Sequence, residues 1–170
     1  MTVKILGAVL ILTGCGGFGM LICLAYKREE EMLRQMIRAM DCMESELQFR
    51  MTPLPELCIR AGNGSSGSIS RFWNSLSEEL QRASSPDVEG CANAAMDANG
   101  PFPQRVEMIL EQLSDTLGQF DAPAQIRALE AARTQCHRVL EAMGTNRENR
   151  LRSYQTLGIC TGIALVIILV

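Results

Sequence analysis

Hydrophobic and polar positions divide this chain into three parts. Ile5–Ala25 and Tyr154–Val170 hold no charged residue. All 19 acidic residues lie between them, with every basic residue except Lys4. A helix needs roughly 20 apolar residues to cross about 30 Å of hydrocarbon. The first stretch meets that length, and the second, at about 17 residues and roughly 25 Å, is at the short end of the range. The pattern therefore predicts transmembrane helices over 1–26 and 153–170 around a polar domain over 27–152. Lys27 and Arg28 follow the first stretch, and Arg147, Arg150 and Arg152 precede the second. Basic flanks stay on the cytoplasmic side, so the domain between them is expected there. Gly7, Gly14, Gly16, Gly17 and Gly19 would let the first helix approach a neighbour closely in lipid. A competing reading takes Leu12-Thr13-Gly14-Cys15 as a lipobox. Cys15 would then be lipidated and the domain would be an extracytoplasmic binding module. Against it, Gly16–Ala25 stays uncharged and mostly apolar where a lipoprotein turns polar.

The middle part repeats apolar residues at helical spacing and lacks strand-like alternation. Met32, Met36, Met40, Met43 and Leu47 form one stripe that continues the first helix. Thr52-Pro53-Leu54-Pro55-Glu56 stops it and starts another, with Thr52 as the expected N-cap and proline in the first turn. The run Gly62-Asn63-Gly64-Ser65-Ser66-Gly67 reads as a flexible loop, since it lacks the Gly-Lys-Ser/Thr ending of a phosphate loop. A helix follows over about 70–83, with Ile69, Phe72, Trp73, Leu76 and Leu80 on one face. Ser85-Pro86 is expected to open a weak helix that Asn99-Gly100-Pro101 ends. Val106, Ile109, Leu110, Leu113 and Leu117 define a stronger helix over 104–117, closed by Gly118. Asp121 then caps a last helix with Pro123 in its first turn and Ile126, Leu129, Arg133, Cys136, Leu140 and Met143 along one side. The expectation is an all-α protein: an antiparallel five- or six-helix bundle flanked by N- and C-terminal transmembrane helices.

Composition narrows the functions. A net charge of −3 argues against nucleic acid as a partner, because duplex binding needs a basic surface. Seven cysteines with no CxxC pair fit neither a disulfide framework nor a zinc site. Reduced thiols used as small apolar residues, in a reducing compartment, are expected instead. His137 is the sole histidine and no GxSxG elbow is present. The run Glu29-Glu30-Glu31 reads as a solvated face. No catalytic residue, metal site or cofactor is expected, and the chain reads as a non-enzyme.

Three stretches point to a family. The opening Lys4-Ile5-Leu6-Gly7-Ala8-Val9-Leu10-Ile11, the turn Thr52-Pro53-Leu54-Pro55-Glu56, and Leu117-Gly118-Gln119-Phe120-Asp121-Ala122-Pro123-Ala124-Gln125 resemble the stage III sporulation protein AB family. The closing Leu157-Gly158 and Ile167-Ile168-Leu169-Val170 fit it as well, so the resemblance spans the chain in order. It implies a mother-cell membrane protein of endospore-forming bacteria, within the channel-like complex linking mother cell and forespore. It also implies a helical domain similar to those of type II secretion platform proteins. The partners it implies are the complex's cytosolic secretion-type ATPase and other membrane subunits. On this resemblance Thr52, Pro53, Leu54, Pro55, Glu56, Leu117, Gly118, Asp121 and Gln125 are the candidate partner-binding residues. Each also has a capping or turn explanation, so helix punctuation remains the alternative for both stretches.

Overall fold

The computed structural model describes residues 2–50, 52–82, 87–117 and 123–144, with side chains from Leu24 onward. Six helices and no strand occur among the described residues: α1 Thr2–Arg50, α2 Leu54–Gly64, α3 Gly67–Arg82, α4 Val88–Asn99, α5 Gln104–Thr116, and α6 over 123–144. Glu29–Leu140 forms one compact unit, and all packing described below belongs to it. Among the described residues no helix is long and apolar enough to cross a membrane. The two expected spans fall outside that statement. Tyr154–Val170 lies outside the described residues, and the side chains of Ile5–Cys23 do too, although their backbone is the helical start of α1.

The apolar stripe of α1 is buried as its spacing predicts. Met32, Met36, Met40, Met43 and Leu47 are all buried, with Leu33 and Ala39 beside them. Each large apolar side chain removed from water contributes about 1.5–3 kcal/mol, which outweighs the modest propensity of any single helix position. α2, α3, α4 and α5 then pack in succession, each against the next. Ile69, Phe72, Trp73 and Leu76 of α3 and Val106, Ile109, Leu110 and Leu113 of α5 are buried together with Leu57, Cys58 and Ala61 of α2. Phe72 meets Trp73 and Phe102 edge-on, with ring centroids 5.0 and 6.2 Å apart. Leu129, Ala132 and Cys136 are the buried residues of α6 within this unit, while Ile126 and Leu140 are half-buried.

The helix ends differ from expectation in instructive ways. Thr52 does not cap α2: Pro53 is the N-cap, and its carbonyl accepts the Leu57 N–H at 3.0 Å. The Thr52 hydroxyl is used elsewhere, as a donor to α1. The glycine-serine run is not a six-residue loop. α2 continues through Gly64 and α3 begins at Gly67, leaving only Ser65 and Ser66 between helices. Gly67 has φ +67°, a left-handed turn that a side chain would strain, and it lets the chain reverse within so few residues. Gly62 allows the close approach of α2 to α3. A Cβ there would lie 2.6 Å from Asn74 Oδ1. Its carbonyl accepts the Ser70 hydroxyl at 2.7 Å. The cap of α4 is Asp87, whose Oδ1 accepts the Gly90 N–H at 3.1 Å, rather than Ser85. Ser85 and Pro86 themselves lie outside the described residues. Leu117, expected as the last helical residue before a closing Gly118, is itself the C-cap of α5, its N–H donating to the Leu113 carbonyl at 3.0 Å. Gly118 and Asp121 lie outside the described residues.

Two stability measurements follow from this packing. Gly62→Val drives branched carbons into the Asn74 carboxamide and should cost about 1–3 kcal/mol, read as a lowered thermal midpoint. Trp73 Nε1 is buried without a hydrogen-bond partner among the described residues. Trp73→Phe removes that unsatisfied donor along with some volume, so it should cost less than half of the roughly 3–5 kcal/mol expected for Trp73→Ala. Equal losses in chemical denaturation would contradict this.

Candidate docking surface at the helix joints

The turn that joins α1 to α2 is held from three sides. Thr52 is buried, and its hydroxyl donates to Glu46 Oε2 at 3.1 Å. Arg60 of α2 donates to the other oxygen of the same carboxylate at 3.2 Å and to Glu56 Oε1 at 2.8 Å. The Pro55 carbonyl accepts the Ser77 hydroxyl of α3 at 2.8 Å. Glu46 of α1 is thus shared between the turn and α2, while α3 holds the turn from its other flank. The Arg60 guanidinium is pushed up in pKa by its hydrogen bond to Glu56 and by the charge of Glu46, so it stays charged.

This geometry separates the five residues of the turn. Thr52 faces inward, Leu54 and Pro55 are half-buried, and Pro53 and Glu56 are exposed. Just before the turn, Phe49 leaves 81% of its surface in water, the most exposed large apolar side chain among the described residues. Ile59, one turn into α2, is partly exposed as well. Exposed aromatic groups commonly mark interaction surfaces. In the second stretch Leu117 is fully buried, and Gln125 is half-buried with a partner of its own. A partner at these joints would therefore meet Pro53 and Glu56 directly, whereas Thr52 and Leu117 act from within.

Several polar side chains of α1 reach across to other parts of the chain, which local patterns do not announce. Glu29, read as part of a solvated face, is largely buried and accepts from Arg105 of α5 at 3.4 Å. Glu30 pairs instead with Arg34 on the same helix at 2.9 Å. Gln35 is buried in the methionine stripe; its carbonyl oxygen accepts the Ser66 N–H at 3.0 Å, and its amide donates to Glu31. Asp41 and Glu44 accept from Arg133 of α6 at 2.9 and 2.8 Å. The only hint of these contacts in the sequence is a carboxylate or amide set beside a buried stripe. The partner, up to 92 positions away, is invisible to local patterns.

Redox and acid–base chemistry find little to work with. Cys42, Cys58, Cys91 and Cys136 are free thiols, and all but Cys42 are buried, which agrees with their reading as small apolar residues. Burial pushes the Cys58 and Cys136 thiols up to about 12. Cys15, Cys23 and Cys160 lie outside the described side chains. His137 is exposed. No group of three or more histidine, cysteine, aspartate or glutamate residues able to hold a metal occurs among the described residues.

Comparison with known proteins supports the resemblance read from the three motifs. The family model for stage III sporulation protein AB matches residues 4–170. A solved structure of a stage III sporulation protein AB (SpoIIIAB) aligns with a TM-score of 0.60 at 19% identity, covering 72% of this chain and 98% of that one. At that identity the alignment speaks for the fold. No curated protein matches the chain.

The raised thiols set a pH dependence. In the unfolded chain cysteine ionises near 8.5, whereas folded Cys58 and Cys136 keep their protons until about 12. Their contribution is complete below about pH 8.5 and is lost as pH rises through that window. The decline is up to about 1.4 kcal/mol per pH unit for each thiol. Cys58→Ala together with Cys136→Ala should flatten the alkaline limb of a stability–pH curve measured between pH 8 and 11.

Proposed function

The chain belongs to the stage III sporulation protein AB family, and from that membership we propose that it is a non-enzymatic platform subunit of the sporulation complex between mother cell and forespore. In this reading the two apolar stretches anchor it in the mother-cell membrane. The helical unit projects into the cytoplasm and docks a cytosolic secretion-type ATPase beside other membrane subunits. The observation that carries the reading is the family match over 4–170. It takes in both charge-free ends and the helical unit between them. The all-helical build of the described residues is compatible with a scaffold that transmits contacts. The basic flanks Lys27 and Arg28 support the cytoplasmic side for the helical unit.

The joints at Thr52–Glu56 and Leu117–Gln125 are the proposed docking residues, in two classes. Pro53 and Glu56 would touch the partner. Thr52, Leu54, Pro55 and Leu117 would hold the joint in shape, and Gly118, Asp121 and Gln125 would belong to the second joint.

The test is co-purification of the full chain, in detergent, with the sporulation ATPase. Micromolar association is expected. Glu56→Ala should weaken it about tenfold while the thermal midpoint stays within a degree or two, since its pair with Arg60 is surface-exposed. Thr52→Val should lower the midpoint itself, because it leaves a Glu46 oxygen without its hydroxyl donor. Absence of binding by the unsubstituted chain would overturn the ATPase assignment.

A further inference from the structure

The last helix is tied to α1 by charge as well as by apolar burial. α2 to α5 are joined in sequence by direct packing of neighbours, with buried aromatic and branched side chains between them. α6, like α4, buries mostly small residues. Its buried residues in the Glu29–Leu140 unit are Leu129, Ala132 and Cys136, of which only leucine is large. In the middle of that face stands an arginine. Arg133 Nη1 donates to Asp41 Oδ1 at 2.9 Å and to Glu44 Oε2 at 2.8 Å, both on α1. Glu44 keeps 17% of its side-chain surface exposed and Asp41 51%, so the pair bridges the edge of the interface.

A slide of α6 by four residues along α1 loses both carboxylate partners. A slide of four residues toward the start of α1 would present Ile37 and Met40 to Arg133, and a slide toward its end would present Ser45 and Gln48. None of these can accept a charge. Without the arginine, Asp41 and Glu44 would face each other as like charges beside an apolar surface, which favours separation. Apolar residues as small as Ala132 and Cys136 do little to specify register or hold the helix alone. An ionic contact at a half-exposed site is also screened by salt, unlike the apolar packing of α2 to α5.

We propose that Arg133, with Asp41 and Glu44, is an ionic latch that sets the register of α6 on α1, and that α6 opens as a separate unit when the latch is released. The core of α1 to α5 stays closed when this happens. Such independent opening is the behaviour of an element with few buried contacts and a partly exposed polar tie.

Two native thiols report the event. Cys136 is buried one turn beyond Arg133 on α6, and Cys58 is buried in α2. The experiment is peptide-resolved alkylation of the full chain in detergent, following both cysteines over time. Arg133→Ala should raise Cys136 labelling about tenfold with Cys58 still protected. The exchanged pair, Arg133→Glu with Glu44→Arg, should restore protection in part. Raising salt from about 0.05 to 1 M should speed Cys136 labelling selectively in the unsubstituted chain, which needs no variant to fold. Unchanged Cys136 protection in Arg133→Ala would overturn the latch. So would Cys136 and Cys58 labelling rising together, since that is loss of the whole fold rather than release of one helix.

Discussion

The buried methionine stripe of α1 is the constraint on which the Glu29–Leu140 unit depends. Four of its five residues are methionines, whose unbranched and polarizable side chains adapt to irregular neighbours. Adaptability has a cost in specificity, because a flexible apolar surface accepts many partners in many registers. Polar groups on the same helix supply what the stripe lacks. Glu29 holds Arg105 of α5, Gln35 holds the Ser65–Ser66 link, Glu46 holds Thr52 and Arg60, and Asp41 with Glu44 holds Arg133 of α6. Helices that α1 does not tie this way are tied to one another. Ser77 of α3 binds Pro55, and Asn99 of α4 donates to Ser75 of α3 at 2.9 Å. Apolar burial supplies most of the stability, and a set of single polar bonds selects the arrangement.

Much of this was legible in the sequence, for a physical reason. Burial follows side-chain periodicity, so Met32 to Leu47, Phe72 to Leu76 and Val106 to Leu117 could be assigned to a core from spacing alone. Helix ends were less legible. Thr52 has the chemistry of a cap, but a hydroxyl takes whichever acceptor the tertiary fold brings near, and Glu46 was nearer. Gly62 to Gly67 has the composition of a loop, yet close packing on Asn74 and a single left-handed residue are enough to use those glycines inside helices. Ser85 looked like a cap because of the proline after it, although Asp87, two positions on, does the work. Glu29 looked solvated because nothing local announces Arg105.

The candidate docking joint illustrates the same division. Its motif was visible as a motif, but its five residues looked alike in role. Only the fold shows that Thr52 points inward while Pro53 and Glu56 point to water, with Phe49 beside them. The local pattern carries the chemistry of starting a helix. Which of those atoms remain available to another molecule is decided by Glu46 of α1 and Ser77 of α3, which lie outside the motif. Structural and docking roles are thus compatible within one turn, since they fall on different side chains.

Trp73 gives this protein an optical property that its composition makes unusually clean. It is the only tryptophan in the chain. It is buried in α3 edge-on to Phe72, and its indole N–H has no partner among the described residues. Its emission should therefore lie toward the blue in the native state, with no contribution from any other indole. α6 contains no aromatic residue over 123–144. Tryptophan fluorescence is then a signal from a single site on α3, and any spectral shift reports the surroundings of that one indole.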